Sequence, residues 1–200
     1  MKQERTLSIE GKEYTLLISD EPQALLEAKA SGRAVLGCLD TGNGEGASRD
    51  FQGIPYVVPS MEYVTEELLE LILRRYLGLP WLIDETERLY IREFVKEDAE
   101  NIPEEEYGKE EEIFRDPDKL EVYIKNQYGF YEYGTWAVLK KSPSLLIGMA
   151  GVSNPNLPET ALQALPTLPD DLCWLELGYH IFKPYRKNGY ATEADKAILS

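Results

Sequence analysis

Leu172–Ser200, LCWLELGYHIFKPYRKNGYATEADKAILS, is the stretch from which the rest of the chain is best read. The apolar run Leu172 to Phe182 predicts a strand. A short basic loop follows, and the residues after Gly189 predict the opening of a helix. Within the turn lies Arg186-Lys187-Asn188-Gly189-Tyr190-Ala191, an R-x-x-G-x-A run. A strand that feeds a glycine loop and then a helix N-terminus is suited to hold phosphate. Unpaired backbone N–H groups point outward there, and the helix dipole favours negative charge.

Composition narrows what such a turn serves. The chain has 200 residues, 43% of them hydrophobic and 28% charged, enough for one medium domain or two small ones with real cores. Net charge is −15, which disfavours a nucleic-acid partner and tolerates a cationic one, though solubility alone accounts for it as well. The polar start MKQERTLSIEG lacks the apolar centre of a signal peptide, and no apolar run reaches membrane-spanning length. Cys38 and Cys173 read as reduced thiols, which suits a cytoplasmic location. A single histidine, His180, argues against zinc, and no metal site is expected.

Residues 1–80 predict a small α/β domain. Thr6–Ile9 and Tyr14–Ile18 flank Gly11 as a hairpin, and Ser19-Asp20-Glu21-Pro22 starts a helix with Asp20 as its cap. Ser31-Gly32 ends that helix, and Ala34–Leu39 is a buried strand. Asp40–Gly53 is glycine-rich and reads as a loop, Tyr56–Val58 as a strand, and Thr65–Tyr76 as an amphipathic helix. The order is β-α-β-β-α, half of a doubly wound layer. Ser19-Asp20, Ala28-Lys29-Ala30-Ser31-Gly32 and Ala34–Gly37 together resemble the later part of haloacid-dehalogenase-type phosphatases. The nucleophile motif of that family, D-x-D-x-T, is absent, which argues against phosphatase activity.

Residues 84–200 predict a second domain. Glu87–Phe94 reads as a strand, and a helix begins near Lys96. Glu104–Glu112, with its run of glutamates, reads as a solvated face or as a wall for a cationic ligand. A helix follows from Pro117 to about Gln127. Thr135–Lys140 and Leu145–Val152 form a hairpin about Lys141–Ser144. Asn154–Asp171, with Pro155, Pro158, Pro166 and Pro169, is a long loop.

Four pieces then fall in a familiar order: Thr86–Arg92, Ile147–Gly151, Glu176-Leu177-Gly178-Tyr179, and Arg186–Ala191. In this order they resemble the GNAT superfamily of acetyl-CoA-dependent N-acetyltransferases, nearest the branch that contains ribosomal-protein N-terminal acetyltransferases. The likeness implies a GNAT mixed sheet flanked by helices, so the overall fold class is α/β (α+β). It also implies acetyl-CoA as cosubstrate and transfer of its acetyl group to a primary amine, a peptide N-terminus or a small molecule, by direct attack in a ternary complex.

By that likeness the pyrophosphate sits on the N–H groups of Arg186, Lys187, Asn188, Gly189, Tyr190, Ala191 and Thr192. The pantetheine arm pairs with Tyr179, His180, Ile181 and Phe182 on a splayed strand. Gly189 lets the backbone approach a phosphate, and Arg186 and Lys187 supply mobile positive charge. The plain alternative is a solvated basic turn. The amine must lose a proton, and Glu176, in an otherwise apolar strand where desolvation would raise its pKa, is the candidate base. Its alternative is a structural carboxylate, paired for instance with Arg92. His180 lies roughly 13 Å further along a regular strand, too far to assist Glu176 directly.

Members of the superfamily continue with more helix and strand, so the likeness implies a sheet that is incomplete after the third helix begins. A completing C-terminal segment or a homo-oligomer would then be a partner. A non-catalytic acyl-CoA-binding or interaction module, or an inactive fragment, is the competing reading.

Overall fold

The computed structural model describes residues 1–40, 50–104, 112–162, 165–169 and 172–200. The chain divides into two compact units, Met1–Trp81 and Leu82–Ser200.

In the first unit, strands β1 (Lys2–Ile9) and β2 (Lys12–Ser19) pair antiparallel. The two residues between them, Glu10 and Gly11, both have positive φ (51° and 78°), the backbone of a tight hairpin turn. Helix α1 (Pro22–Ala30) leads to β3 (Ala34–Asp40), then β4 (Val57–Ser60) and α2 (Glu66–Tyr76). The sheet order is β1-β2-β3-β4, with β2, β3 and β4 parallel.

Alternation along β2 and β3 sends side chains to two cores. Leu16, Ile18, Leu36 and Cys38 pack with Leu69, Ile72 and Leu73 of α2. Leu17 and Val35 pack with Leu25 and Ala28 of α1. Asp20 is nine-tenths buried and paired with the Met1 ammonium, so the predicted capping role is not its contact; Ser19 Oγ instead accepts the Glu21 N–H at 3.1 Å. Most of the glycine-rich loop after Asp40 lies outside the described residues.

The second unit carries a sheet of order β5-β6-β7-β8-β9: β5 (Leu82–Glu85), β6 (Leu89–Arg92), β7 (Thr135–Lys140), β8 (Leu145–Ser153) and β9 (Glu176–Ile181). Every pairing in it is antiparallel, so parallel pairing among the described strands is confined to the first unit. The helices are α3 (Glu112–Arg115), α4 (Pro117–Tyr131), α5 (Glu159–Leu162) and α6 (Tyr190–Ile198). Asp116 caps α4, accepting the N–H groups of Asp118 and Lys119 at 3.0 and 3.1 Å, with Pro117 opening its first turn. Ala194 of α6 packs into a core with Leu89, Ile91, Val138, Ile147 and Ile181. Leu120 of α4 packs into another with Phe94, Ala137, Met149 and Phe182.

Four departures from the sequence expectations bear on the site. β9 begins at Glu176, not Leu172; Leu172, Trp174 and Leu175 are exposed, so their apolarity is not that of a sheet core. β5 has no clear alternation and was not predicted. Lys96–Asn101 is a tight 3-10 turn rather than an α-helix. Arg92 pairs in a fork with Asp98, at 2.7 and 2.9 Å, and not with Glu176. Of the glutamate run, residues 105–111 lie outside the described residues.

Candidate functional site

Between β9 and α6 the chain makes one short 3-10 turn, Lys183–Tyr185, and then the basic loop. Lys187 and Gly189 both adopt left-handed backbone, φ 63° and 80°. Left-handed residues interrupting a turn curl successive N–H groups towards one side, the geometry of an anion nest. Gly189 is the N-cap of α6 and no side chain caps the helix, so its first-turn N–H groups stay available. The Asn188 side chain staples the turn internally, donating to the carbonyls of Tyr185 and Arg186 at 3.1 and 3.0 Å.

A cavity of about 410 Å³ opens against this turn. Of the predicted cofactor residues, Tyr179, His180, Ile181, Arg186, Lys187, Gly189, Tyr190, Ala191 and Thr192 line it. Two do not. Asn188 spends its side chain on the turn. Phe182 is buried in the core, 1% exposed, and its N–H already donates to the Ile147 carbonyl at 2.8 Å. Tyr185 lines the cavity as well and was not singled out from sequence. β9 is the last strand in the sheet order, and Tyr179 on it is exposed.

Arg186 is not the mobile charge expected of it. Its Nε donates to the Ile181 carbonyl at 2.7 Å, and its Nη2 lies 3.3 Å from His180 Nε2. A guanidinium has only donors, so that imidazole nitrogen accepts. The arginine is thus folded along β9, although both it and Lys187 are exposed.

Glu176 sits at the start of β9, paired across to Ser153. It is exposed, so the desolvation expected of it is absent, and Oε2 accepts the Asn156 N–H at 3.2 Å. It does not line the cavity.

A further set of residues touches the loop from the β5–β6 turn. Thr86 Oγ1 donates to Glu193 Oε1 at 2.5 Å, and Arg88 Nε donates to Glu193 Oε2 at 2.6 Å. Arg88 Nη1 donates to the Asn188 carbonyl at 3.0 Å, and its guanidinium lies over the Tyr190 ring at 4.6 Å. Burial pushes the Glu193 carboxyl up, but the hydrogen bonds from Thr86 and Arg88 outweigh it and hold the group below its ordinary value. Glu193 carried no sequence signal beyond its place in a first helical turn.

The model of the acetyltransferase (GNAT) domain family matches residues 88–200, more than half the chain. The chain belongs to the GNAT acetyltransferase family. Members of that family transfer an acyl group from acyl-CoA to an amine. Among solved structures, the crystal structure of an acetyltransferase from Agrobacterium tumefaciens str. C58 overlaps 58% of this chain at 20% identity, with a TM-score of 0.35. The overlap spans 63% of that structure's chain. No curated protein matches.

The loop of this GNAT domain suits the phosphates of an acyl-CoA on its own geometry. Gly189 holds φ 80°, a backbone that side chains rarely adopt, so the turn favours glycine there, although a Cβ would meet Arg88 Nη2 at no closer than an ordinary 3.5 Å. No helix among the described residues is long and apolar enough to cross a membrane.

Proposed function

We propose that Leu82–Ser200 binds acetyl-CoA and passes its acetyl group to a primary amine by direct attack in a ternary complex. The observation that carries this reading is the cavity at the Gly189 turn, where uncapped helix N–H groups and two basic side chains face one space in an acidic chain. In this reading the N–H groups of Lys187 to Thr192 hold the pyrophosphate, with Arg186 and Lys187 adding charge. Tyr179, His180 and Ile181 line the path of the pantetheine arm, and acetyl-CoA supplies an activated thioester at its end.

Glu176 takes the amine proton, directly or through water. Its exposure and its bond to the Asn156 N–H favour a second reading specific to this residue, in which it ties the preceding loop to β9. A domain with that Glu176 and an intact Gly189 turn would be an acyl-CoA-binding or interaction module without turnover. The acceptor suited to a net charge of −15 is a cationic amine or peptide N-terminus, as in the ribosomal-protein acetyltransferase branch, and the location is cytoplasmic. Met1–Trp81 is a separate α/β unit, read as a relative of the haloacid-dehalogenase fold without its nucleophile.

Thermal denaturation with acetyl-CoA tests the reading. The expected result is a stabilisation in the wild type that Gly189→Glu abolishes, because the new side chain fills the cradle and repels phosphate. No shift at millimolar acetyl-CoA sinks both the transferase and the binding-module readings. Turnover that survives Glu176→Gln removes that residue from the role of base.

A further inference from the structure

We propose that Arg88 is a positioning residue for the phosphate-facing loop, which it orients from the β5–β6 turn. The inference rests on the acyl-CoA reading for its ligand but on separate contacts for its geometry. One guanidinium engages three parts of the loop and helix at once: the Asn188 carbonyl at 3.0 Å, the Tyr190 ring at 4.6 Å and the Glu193 carboxylate at 2.6 Å. Glu193 is itself held by Thr86 Oγ1 at 2.5 Å and by the Arg88 backbone N–H at 3.1 Å, so the guanidinium cannot swing away without breaking a closed set.

The contact that matters most is the one to Asn188. A peptide unit is planar and trans, so its carbonyl and the next N–H point to opposite sides. Fixing the Asn188 carbonyl on Arg88 therefore aims the Gly189 N–H away from Arg88. Gly189 lines the cavity, and glycine is the residue whose peptide flips most freely when nothing holds it. Arg88 thus pre-orients a phosphate donor that the loop alone would leave to thermal averaging. The task needs the planar fork of arginine, since a lysine ammonium cannot span carbonyl, ring and carboxylate together. Glu193 neutralises the guanidinium, so the effect is one of geometry and not of added positive charge.

The test uses the full chain as wild type, Arg88→Lys and Arg88→Met, each checked for its melting temperature. In the absence of ligand, the Gly189 amide resonance should shift and its hydrogen exchange quicken in both variants, while the amides of β7 and β8 stay put. Calorimetric titration with CoA should show about tenfold weaker binding in Arg88→Met and an intermediate loss in Arg88→Lys, the scale of one charge-assisted hydrogen bond. Pantetheine, which lacks the pyrophosphate, should bind all three equally when followed at millimolar concentration by NMR. An unchanged Gly189 amide in a folded Arg88 variant overturns the proposal, and so does equal weakening of CoA and pantetheine. A wild type that binds no CoA sinks the acyl-CoA reading, and the orienting role is then decided by the Gly189 resonance alone. If Arg88→Met does not fold, Arg88→Lys decides by the same criteria.

Discussion

Two carboxylates on α6 sit two residues apart and titrate on opposite sides of their ordinary values. Burial raises both, yet at Glu193 the bonds from Thr86 and Arg88 win and the carboxyl titrates below its ordinary value. At Asp195 burial acts unopposed, its Oδ1 is enclosed without a hydrogen-bond partner among the described residues, and the carboxyl titrates above its ordinary value. The linkage signs follow. Glu193 contributes stability above its unfolded pKa and loses it as pH falls through the lowered folded value. Asp195 costs stability above its raised folded value, and that cost vanishes below its unfolded one. Urea midpoints measured from neutrality down through the carboxylate range should therefore diverge. Glu193→Gln should be less stable than wild type near neutrality, with the gap closing on acidification. Asp195→Asn should be more stable near neutrality, with its advantage closing over a similar span.

At the scale of elements, α4 is fastened to β7 by two tyrosines. Tyr128, 1% exposed, donates to the Thr135 carbonyl at 2.5 Å and accepts the Phe94 N–H at 3.3 Å, while Tyr123 accepts the Thr135 N–H at 2.8 Å. Burial pushes both phenols up, so both stay protonated through the neutral range. Tyr128→Phe leaves the buried Phe94 N–H and the part-buried Thr135 carbonyl without this partner and should cost about 1–3 kcal/mol, read from urea denaturation. On the next pair of strands, a Cβ at Gly148 would run into the His180 carbonyl of β9. Gly148→Val should lower the melting temperature and weaken CoA binding together, because β9 carries one wall of the cavity. How well these elements could be read from sequence depended on how local their cause is. The hairpins at Gly11 and at Lys141–Ser144, and the Pro117 helix start, announce themselves within a few residues. β5 did not, being four residues with no clear alternation that pair with β6 and pack against α6. The overlong estimate of β9 arose because Leu172, Trp174 and Leu175 are apolar yet exposed, a state that pattern alone does not separate from a core strand. The cradle at Gly189 was legible because glycine, basic side chains and helix start are contiguous. The Arg88–Glu193 contact was not, because 105 residues separate its partners.

For the molecule as a whole, each unit has its own hydrophobic core, and only the second contains the Gly189 turn. Acetyl-CoA should therefore raise the melting of one unit and leave the other where it was, which scanning calorimetry with and without ligand would resolve as a shift in one of two transitions. A single transition that moves as one would show that the units unfold together. The Arg88–Glu193 bond gives this a temporal side. A chain made from its N-terminus exposes the β5–β6 turn long before residue 193 exists, and closing so long a loop is a late step in folding. The cradle is fully oriented only after that closure. Tight cofactor capture would thus report that this long-range closure has been made, and a chain stalled before residue 193 would hold acyl-CoA more weakly.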